Sequence, residues 1–374
     1  MPSRNRKKRT KQRAEYLQKQ EENKAKARER YKADPEKKKA SVLQLDHPNG
    51  MSASKNAAPS FPSLFHRIKV PPYYREPFIV GGYRKPNSSF SEALAYAFVP
   101  KNNDCLNFWT HFIPLLVWIV WFWVLSHRLD LSEPYFYPLA CLWAGCCTYA
   151  VCSSGAHMLG CMRLEVRQVC FLVDYMGISM YTFSESLSTF FYLYPPDSLY
   201  IRYKWVTLVV FGVLCVGATA MSGLSLFYWE RWRFDPWIRF LDCQFAGRNC
   251  TMETHYLHLF AINMIVLLAF FFISKVPERF APGRFDAVFQ SHQLFHLCAA
   301  TVSCLHMYTF PIDAVIRREL MVTADVMPDF NSTILLFAVV NACCLVLVAI
   351  MSLLVIKGTL LSHKHPPDED VKDR

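Results

Sequence analysis

The stretch from Ser332 to Ile356 reads STILLFAVVNACCLVLVAIMSLLVI and contains no Asp, Glu, Lys or Arg. A helix of about 20 apolar residues crosses the hydrocarbon core of a bilayer. Because that core holds no water, the backbone must satisfy its own hydrogen bonds, and no alternating ten-residue strand pattern is present. The stretch therefore predicts a transmembrane helix.

Further apolar segments of similar length precede this one along the chain. They are Asn107–Ser126, Tyr135–His157, Val169–Tyr194, Trp205–Trp229, Leu257–Ser274 and Phe289–Phe310. Trp and Tyr stand at many of their ends, as in the aromatic belts of membrane interfaces. The sequence predicts an all-α fold, a polytopic transmembrane helical bundle with seven apolar spans.

The charge of the chain is concentrated in one arm. The net charge is +11 although 52% of the residues are hydrophobic. Residues Met1–Ala40 hold sixteen Lys/Arg and six Asp/Glu, which leaves 25 basic and 24 acidic residues elsewhere. Such an arm cannot bury enough apolar surface to fold alone, and by the positive-inside rule it predicts a cytoplasmic N-terminus. We therefore expect the lipid bilayer as a partner and no nucleic acid.

The same composition shifts divide the chain into four regions. We expect a basic arm and linker at 1–63, an amphipathic juxtamembrane segment at 64–106, a transmembrane helical domain at 107–356 and a short cytoplasmic tail at 357–374.

Ionisable side chains inside spans are costly, and by default they are functional candidates. His157 ends the second span in SSGAH, with Ser153 one turn earlier on the same face. Asp174 lies early in the third span, and His292 and His296 open the sixth in SHQLFH. The i, i+4 spacing places these two His on one helix face.

Together these residues predict an open zinc site. Three neutral imidazoles plus a water are typical of catalytic zinc, and Asp174 could hold or deprotonate that water. Taken singly, each side chain has a structural alternative as a hydrogen-bond partner between helices. His111, His255, His258 and His306 also lie near spans, and we interpret them mainly as interfacial.

Several motifs resemble the progestin and adipoQ receptor family, closest to its membrane progestin receptors and nearest to the gamma type. The likeness covers roughly Phe65 to Ile356. The matching motifs are EPFIVGGYR (Glu76–Arg84), NFWTH (Asn107–His111), SSGAH (Ser153–His157), DYMGIS (Asp174–Ser179) and VPERFAPGRFDAVFQSHQLFH (Val276–His296).

The resemblance implies zinc ligands at His157, His292 and His296, with Asp174 bearing on the zinc-bound water and Ser153 near the site. It implies a plasma-membrane location, a cytoplasmic N-terminus and a zinc site toward that side. The implied ligand is a steroid or a sphingolipid-like molecule, and a G protein is a candidate partner. Relatives suggest ceramidase-like amide hydrolysis, in which Asp174 and Ser153 would be the catalytic residues.

The number of spans conflicts with this likeness. His292 shares a bundle end with His157 only if the chain crosses twice between Trp229 and Lys275, yet only Leu257–Ser274 is apolar enough. One crossing of the family therefore looks deleted near Phe234 and Asp235. Strict alternation would leave His292 about 30 Å from His157 and abolish the site.

Three functions follow from these observations. We prefer a membrane receptor for a progestin-like steroid or related lipid with an intramembrane zinc site. The alternatives are a zinc-dependent, ceramidase-like amide hydrolase and a non-catalytic membrane scaffold with a disrupted metal site.

Overall fold

The computed structural model describes residues 62–227 and 252–358. Seven long helices occur within these two ranges. They are α1 (Cys105–Ser126), α2 (Tyr137–Leu159), α3 (Leu164–Tyr192), α4 (Lys204–Phe227), α5 (Met252–Ser274), α6 (Ser291–Thr323) and α7 (Leu336–Ile356). A π-helical turn, Asn331–Leu335, leads directly into α7. The prediction of an all-α polytopic bundle is confirmed.

Six of these helices, in the part of the chain that the structure describes, are long and apolar enough to cross a membrane. The exception is α3, which corresponds to the predicted segment Val169–Tyr194. It is long enough at 29 residues, but it carries Glu165, Arg167 and Asp174 and several buried serines. Because α3 packs against α2, α4, α6 and α7, these polar groups can face protein rather than lipid.

Small residues bring α2 and α3 together at the centre of the bundle. A Cβ added at Gly145 would lie 2.1 Å from Ser184 Oγ, and one at Gly177 would lie 3.1 Å from Tyr149 Cα. Small residues allow close backbone approach between membrane helices, where packing rather than the hydrophobic effect holds them together. The core of buried apolar side chains is built around this pair.

Each long helix runs from one end of the bundle to the other. We call the end where α2 finishes and α6 begins the histidine end, because His157 and His292 lie there. Near the end of α4, Gly223 packs against Met351 and Leu172 toward the histidine end. Near the start of α5, Thr254 donates a hydrogen bond to Asp313, far along α6.

The described residues on either side of 228–251 thus lie at opposite ends of the bundle. The predicted deletion near Phe234 and Asp235 lies outside the described residues and stays a prediction. The separation of His157 and His292 by about 30 Å, which strict alternation of the spans would cause, is not observed. His292 Nε2 lies 3.4 Å from His157 Nε2.

The juxtamembrane segment forms a cap over the histidine end. Phe65 and Tyr83 pair through an isolated antiparallel bridge, and Tyr74 Oη donates to Met162 O at 2.8 Å. The backbone N–H of Val80 donates to Asp286 Oδ1 at 3.0 Å, so this segment also contacts the loop before α6. A short helix, Phe90–Tyr96, follows and begins with a capping box at Ser89.

Candidate metal centre

Three histidines from two helices converge at the histidine end. His157 Nε2 lies 3.4 Å from His292 Nε2, and His292 Nε2 lies 3.0 Å from His296 Nε2. One nitrogen from each ring lies within 4.8 Å of the other two. His157 and His296 are buried, and His292 is half-buried. The structure therefore brings together all three histidines that the sequence singled out.

This arrangement fits a tetrahedral metal better than it fits hydrogen bonding alone. Zinc–nitrogen bonds of about 2.0–2.1 Å place two tetrahedral nitrogen ligands about 3.3 Å apart. A neutral imidazole has one N–H donor and one acceptor nitrogen. Three Nε2 atoms that face one another cannot all be satisfied among themselves, whereas a single cation accepts all three lone pairs.

The start of α6 is fixed by a buried acidic side chain. Glu278, in the loop before α6, accepts hydrogen bonds from the Ser291 backbone N–H at 2.7 Å and from the Ser291 hydroxyl. The first N–H groups of a helix have no partner within the helix, and a carboxylate satisfies them well. His292 follows immediately, so the helix turn that carries two of the candidate ligands is anchored.

Asp104 lies directly before α1 and faces the first candidate ligand. Its Oδ1 lies 3.0 Å from His157 Nδ1, and its other oxygen contacts the Arg84 guanidinium. Burial raises the pKa of Asp104, but the positive Arg84 and the His157 hydrogen bond hold it well below its ordinary value. Neither Asp104 nor Arg84 was singled out from the sequence, although Arg84 ends the motif EPFIVGGYR.

Two buried polar atoms beside the triad lack a partner within the described part of the chain. They are Asp174 Oδ1 and His296 Nδ1. The Ser153 hydroxyl and His157 both lie near enough to interact with the Asp174 carboxyl. Buried polar atoms in native structures nearly always have a partner, so these atoms indicate a bound group or water.

His111 belongs to this site, contrary to the sequence interpretation. It was predicted to be mainly interfacial, but it is 1% exposed. Its ring centroid lies 4.3 Å from that of His296, and the Tyr149 hydroxyl lies 3.1 Å from its Nδ1. The sequence signal was available in NFWTH, where Asn107 and His111 are one turn apart on a face that is buried.

A second buried polar group lies toward the opposite end. His306, also predicted to be interfacial, is 8% exposed, and its Nδ1 lies 2.8 Å from Tyr181 Oη. His258 pairs with Asp313, which sequence reasoning missed. Because His306 is ten residues beyond His296 on α6, it lies about 15 Å farther along the helix. These side chains join helices and do not reach the triad.

The sequence matches a known protein family over more than half of its length. The sequence profile of the haemolysin-III-related family matches residues 99–307, a range that contains all three histidines. The chain belongs to this family. Curated proteins similar to this chain include membrane progestin receptors.

Three of these relatives show how much of the chain is shared. Membrane progestin receptor gamma-B of Danio rerio is 30% identical and covers 72% of this chain and 88% of its own length. Membrane progestin receptor gamma of Mus musculus is 28% identical, covering 69% and 83%. Membrane progestin receptor delta of Homo sapiens is 30% identical, covering 71% and 83%. The resemblance to membrane progestin receptors is confirmed, and this haemolysin-III-related chain is a multi-pass membrane protein of a receptor family.

Proposed function

We propose that this protein is a plasma-membrane receptor for a steroid or related lipid, built around an intramembrane zinc centre. The observation that carries the proposal is the convergence of His157, His292 and His296 inside the bundle. The names of the relatives, which are membrane progestin receptors, support the ligand class.

Zinc, when bound, supplies a Lewis acid and a water of lowered pKa. His157 would hold it from α2, and His292 and His296 would hold it from α6, so the three side chains would fasten these helices to each other. Ser153 and Asp174 would present oxygen atoms to whatever group completes the site. In a receptor, such a fastening fixes the helix positions around a ligand.

A groove on the lipid side of α6 supports a lipid ligand. Its volume is about 440 Å³, and it is open to the lipid rather than an enclosed cavity. The wall is almost wholly apolar and includes Pro114 of α1, Leu257 of α5 and Leu297 of α6. Leu297 follows His296 directly, so occupancy of the groove can affect the helix that carries two candidate ligands.

Metal analysis tests the zinc centre. We expect about one zinc per chain in protein purified into lipid nanodiscs, since three histidines and one further ligand complete a tetrahedral site. His292→Ala should abolish it. His127→Ala is the matched control, because His127 is exposed at the end of α1 and contacts Trp123. Substoichiometric zinc in the wild type, unchanged by His292→Ala, would contradict the centre.

Ligand binding tests the receptor. A tritiated progestin should bind saturably to the nanodiscs, and Leu297→Trp should weaken binding by filling the groove. Leu345→Trp is the control, because Leu345 is a lipid-facing leucine of α7 that is exposed to a similar extent, 52% against 54%. The absence of saturable binding by zinc-loaded wild type would exclude the progestin-receptor assignment.

A zinc-dependent lipid amide hydrolase is the second candidate. It is favoured by one observation, the buried and partnerless Asp174 Oδ1 beside Ser153, because a carboxylate so placed can accept a proton. Ceramide turnover should then be lost in Asp174→Asn and kept in Asp130→Asn, an exposed carboxylate outside the bundle. If wild type and Asp174→Asn release sphingosine equally slowly, the hydrolase is excluded.

The scaffold hypothesis assumed that the metal site is disrupted. Because His157, His292 and His296 lie together, that assumption no longer favours it. A sphingolipid-like ligand and a G protein remain predictions from the family resemblance.

We further propose that the histidine end and the N-terminus face the cytoplasm. Lys275, Arg279 and Arg284 lie in the loop before α6, and Lys357 follows α7 at the same end. Positive residues near spans favour the cytoplasmic side. An epitope at the N-terminus should stain only permeabilised cells, whereas one inserted at Asp130, between α1 and α2, should stain intact cells. The reverse pattern would contradict the orientation.

A further inference from the structure

The ring of His157 is held on both sides. Its Nε2 faces the other two histidines, and its Nδ1 lies 3.0 Å from Asp104 Oδ1. The His157 side chain is only 2% exposed and that of Asp104 only 16%. The contact therefore lies largely out of water, where a charge-assisted hydrogen bond is stronger.

The contact selects one tautomer of the imidazole. An ionised carboxylate only accepts hydrogen bonds, so Nδ1 of His157 must carry the proton. In a neutral ring this leaves the lone pair on Nε2, the atom directed at the triad. Carboxylates that accept the second N–H of a ligating histidine fix both its orientation and its tautomer.

Arg84 holds Asp104 in place and ties it to the same helix end. One guanidinium nitrogen contacts Asp104 Oδ2, and the other donates to His157 O at 2.6 Å and to Met158 O at 2.9 Å. These carbonyls belong to the last turn of α2, which has no intrahelical partners for them. Asn107 adds a hydrogen bond to Asp104 Oδ1 at 2.9 Å.

Gly160 directly follows α2 and lies close to Arg84 and Arg167. A Cβ added at Gly160 would lie 3.4 Å from Arg84 Nη2 and 3.2 Å from Arg167 Nη1. The distance to Arg84 is an ordinary contact, so a larger side chain at Gly160 would press on Ala156 O, 2.9 Å away, and on Arg167.

The other two histidines lack such a support among the described residues. His296 Nδ1 has no hydrogen-bond partner there. The His292 ring instead stacks on Phe295, with centroids 5.7 Å apart and planes 7° apart. Of the three histidines, only His157 is braced by a carboxylate from the described residues.

We propose that Asp104, itself held by Arg84, is the positioning residue that presets His157 for metal binding from outside the membrane spans. The proposal rests on the zinc centre proposed above. In this proposal the His157 ring is already oriented before metal binds, and His292 and His296 of α6 complete the set of ligands. It also assigns a role to the juxtamembrane segment, whose Arg84 couples the cap to the metal centre.

A purely structural role is the competing explanation, because the same contacts fasten the cap to the bundle. The variants separate the two roles. Asp104→Asn keeps the size but can donate from its amide to Nδ1 and so stabilise the wrong tautomer, as in other carboxylate–histidine pairs. Asp104→Glu keeps the carboxylate. Glu133→Gln is the matched control, since it removes a Glu–Arg pair with Arg318 at the opposite end.

The experiment measures zinc affinity by chelator competition in nanodiscs, with the absorption spectrum of the cobalt-substituted protein as a second readout. We expect Asp104→Asn to weaken zinc binding about 10–100-fold and to change the cobalt spectrum, as loss of such supports does in metalloproteins. Asp104→Glu should recover much of the affinity, and Glu133→Gln should match the wild type.

Three results would overturn the proposal. If wild type binds zinc and Asp104→Asn binds it equally well with the same cobalt spectrum, Asp104 does not position His157 while the zinc centre stands. If Asp104→Asn and Glu133→Gln weaken binding equally, the effect is general destabilisation. If wild type binds no zinc, the zinc centre and this proposal fail together.

Discussion

His258 Nε2 lies 2.8 Å from Asp313 Oδ2 and fastens α5 to α6 at the end of the bundle opposite the candidate metal centre. Thr254 donates to the other oxygen of the same carboxylate, which is 1% exposed. Few other residues of α5 are buried, since only 6% of the residues in its most apolar stretch are. This carboxylate is therefore one point at which α5 is attached to α6.

We expect His258→Leu to destabilise the protein by about 1–3 kcal/mol, because it leaves a buried acceptor without one of its donors. The measurement is the thermal unfolding midpoint in detergent. His255→Leu, three residues earlier on the same helix, serves as the control. Equal midpoints for wild type and His258→Leu would show that the pair contributes nothing to the attachment of α5.

The contact of α2 with α3 depends on Gly145. We expect Gly145→Ala to destabilise the bundle by about 1–3 kcal/mol, because the added Cβ would lie 2.1 Å from Ser184 Oγ and 3.2 Å from Tyr181 Cα. Gly217→Ala is the matched control, since a Cβ at Gly217 meets nothing within 4 Å. Gly217→Ala should leave the stability unchanged or raise it by up to about 1 kcal/mol, because Ala has a higher helix propensity than Gly. A tolerated Gly145→Ala with full stability would contradict the close packing.

Removal of metal should lower the stability of the wild type. A ligand that binds only the folded state at about 100 times its dissociation constant contributes about 2.7 kcal/mol. We therefore expect chelation to lower the unfolding midpoint of wild type and to leave His296→Ala unchanged. Readdition of zinc should restore only the wild type. A chelator effect of equal size in both proteins would argue for a nonspecific action of the chelator.

Acid should weaken the contact between Asp329 and Lys204, at the end of the bundle opposite the histidine end. Burial opposes ionisation of Asp329, but its bonds to Lys204 and Ser332 lower its pKa to about 2. A carboxyl with a lowered folded-state pKa stabilises the fold above its unfolded pKa of about 3.9 and loses that contribution as the pH falls toward 2. Because Asp329 is half exposed, the contribution is at most about 1 kcal/mol.

We therefore expect Asp329→Asn to be less stable than wild type at pH 7 and nearly equal to it at about pH 2. The midpoint difference between the two proteins, followed against pH, measures this. Asp325→Asn, four residues earlier in the same loop, is the control. A difference that grows on acidification would contradict the assigned direction.

The sequence predicted the helices well because the property that decides them is local. Charge-free stretches such as Ser332–Ile356 select a transmembrane helix whatever surrounds them. The prediction was weakest for α3, whose buried Asp174 and serines are tolerated only because other helices cover them. Hydropathy along the chain does not contain that information.

The candidate metal ligands could be predicted from the sequence, but the residues that hold them in position could not. The spacing of His292 and His296 is a property of one helix, so it could be read from the sequence. The place of His111 in the site depends on how α1 is rotated against α2 and α6, and its interfacial interpretation was wrong for that reason. Asp104 and Arg84 act from outside the spans, and only packing brings them to His157.

The sequence by itself determined that this chain is a polytopic helical membrane protein with intramembrane histidines and a family likeness. It did not determine whether His157 and His292 meet, because counting spans placed them about 30 Å apart as readily as together. Tertiary packing decided this by placing the end of α2 against the start of α6. Helix formation depends on neighbours along the chain, whereas the end of the bundle at which two helices meet depends on contacts between residues more than a hundred positions apart, such as His157 and His292.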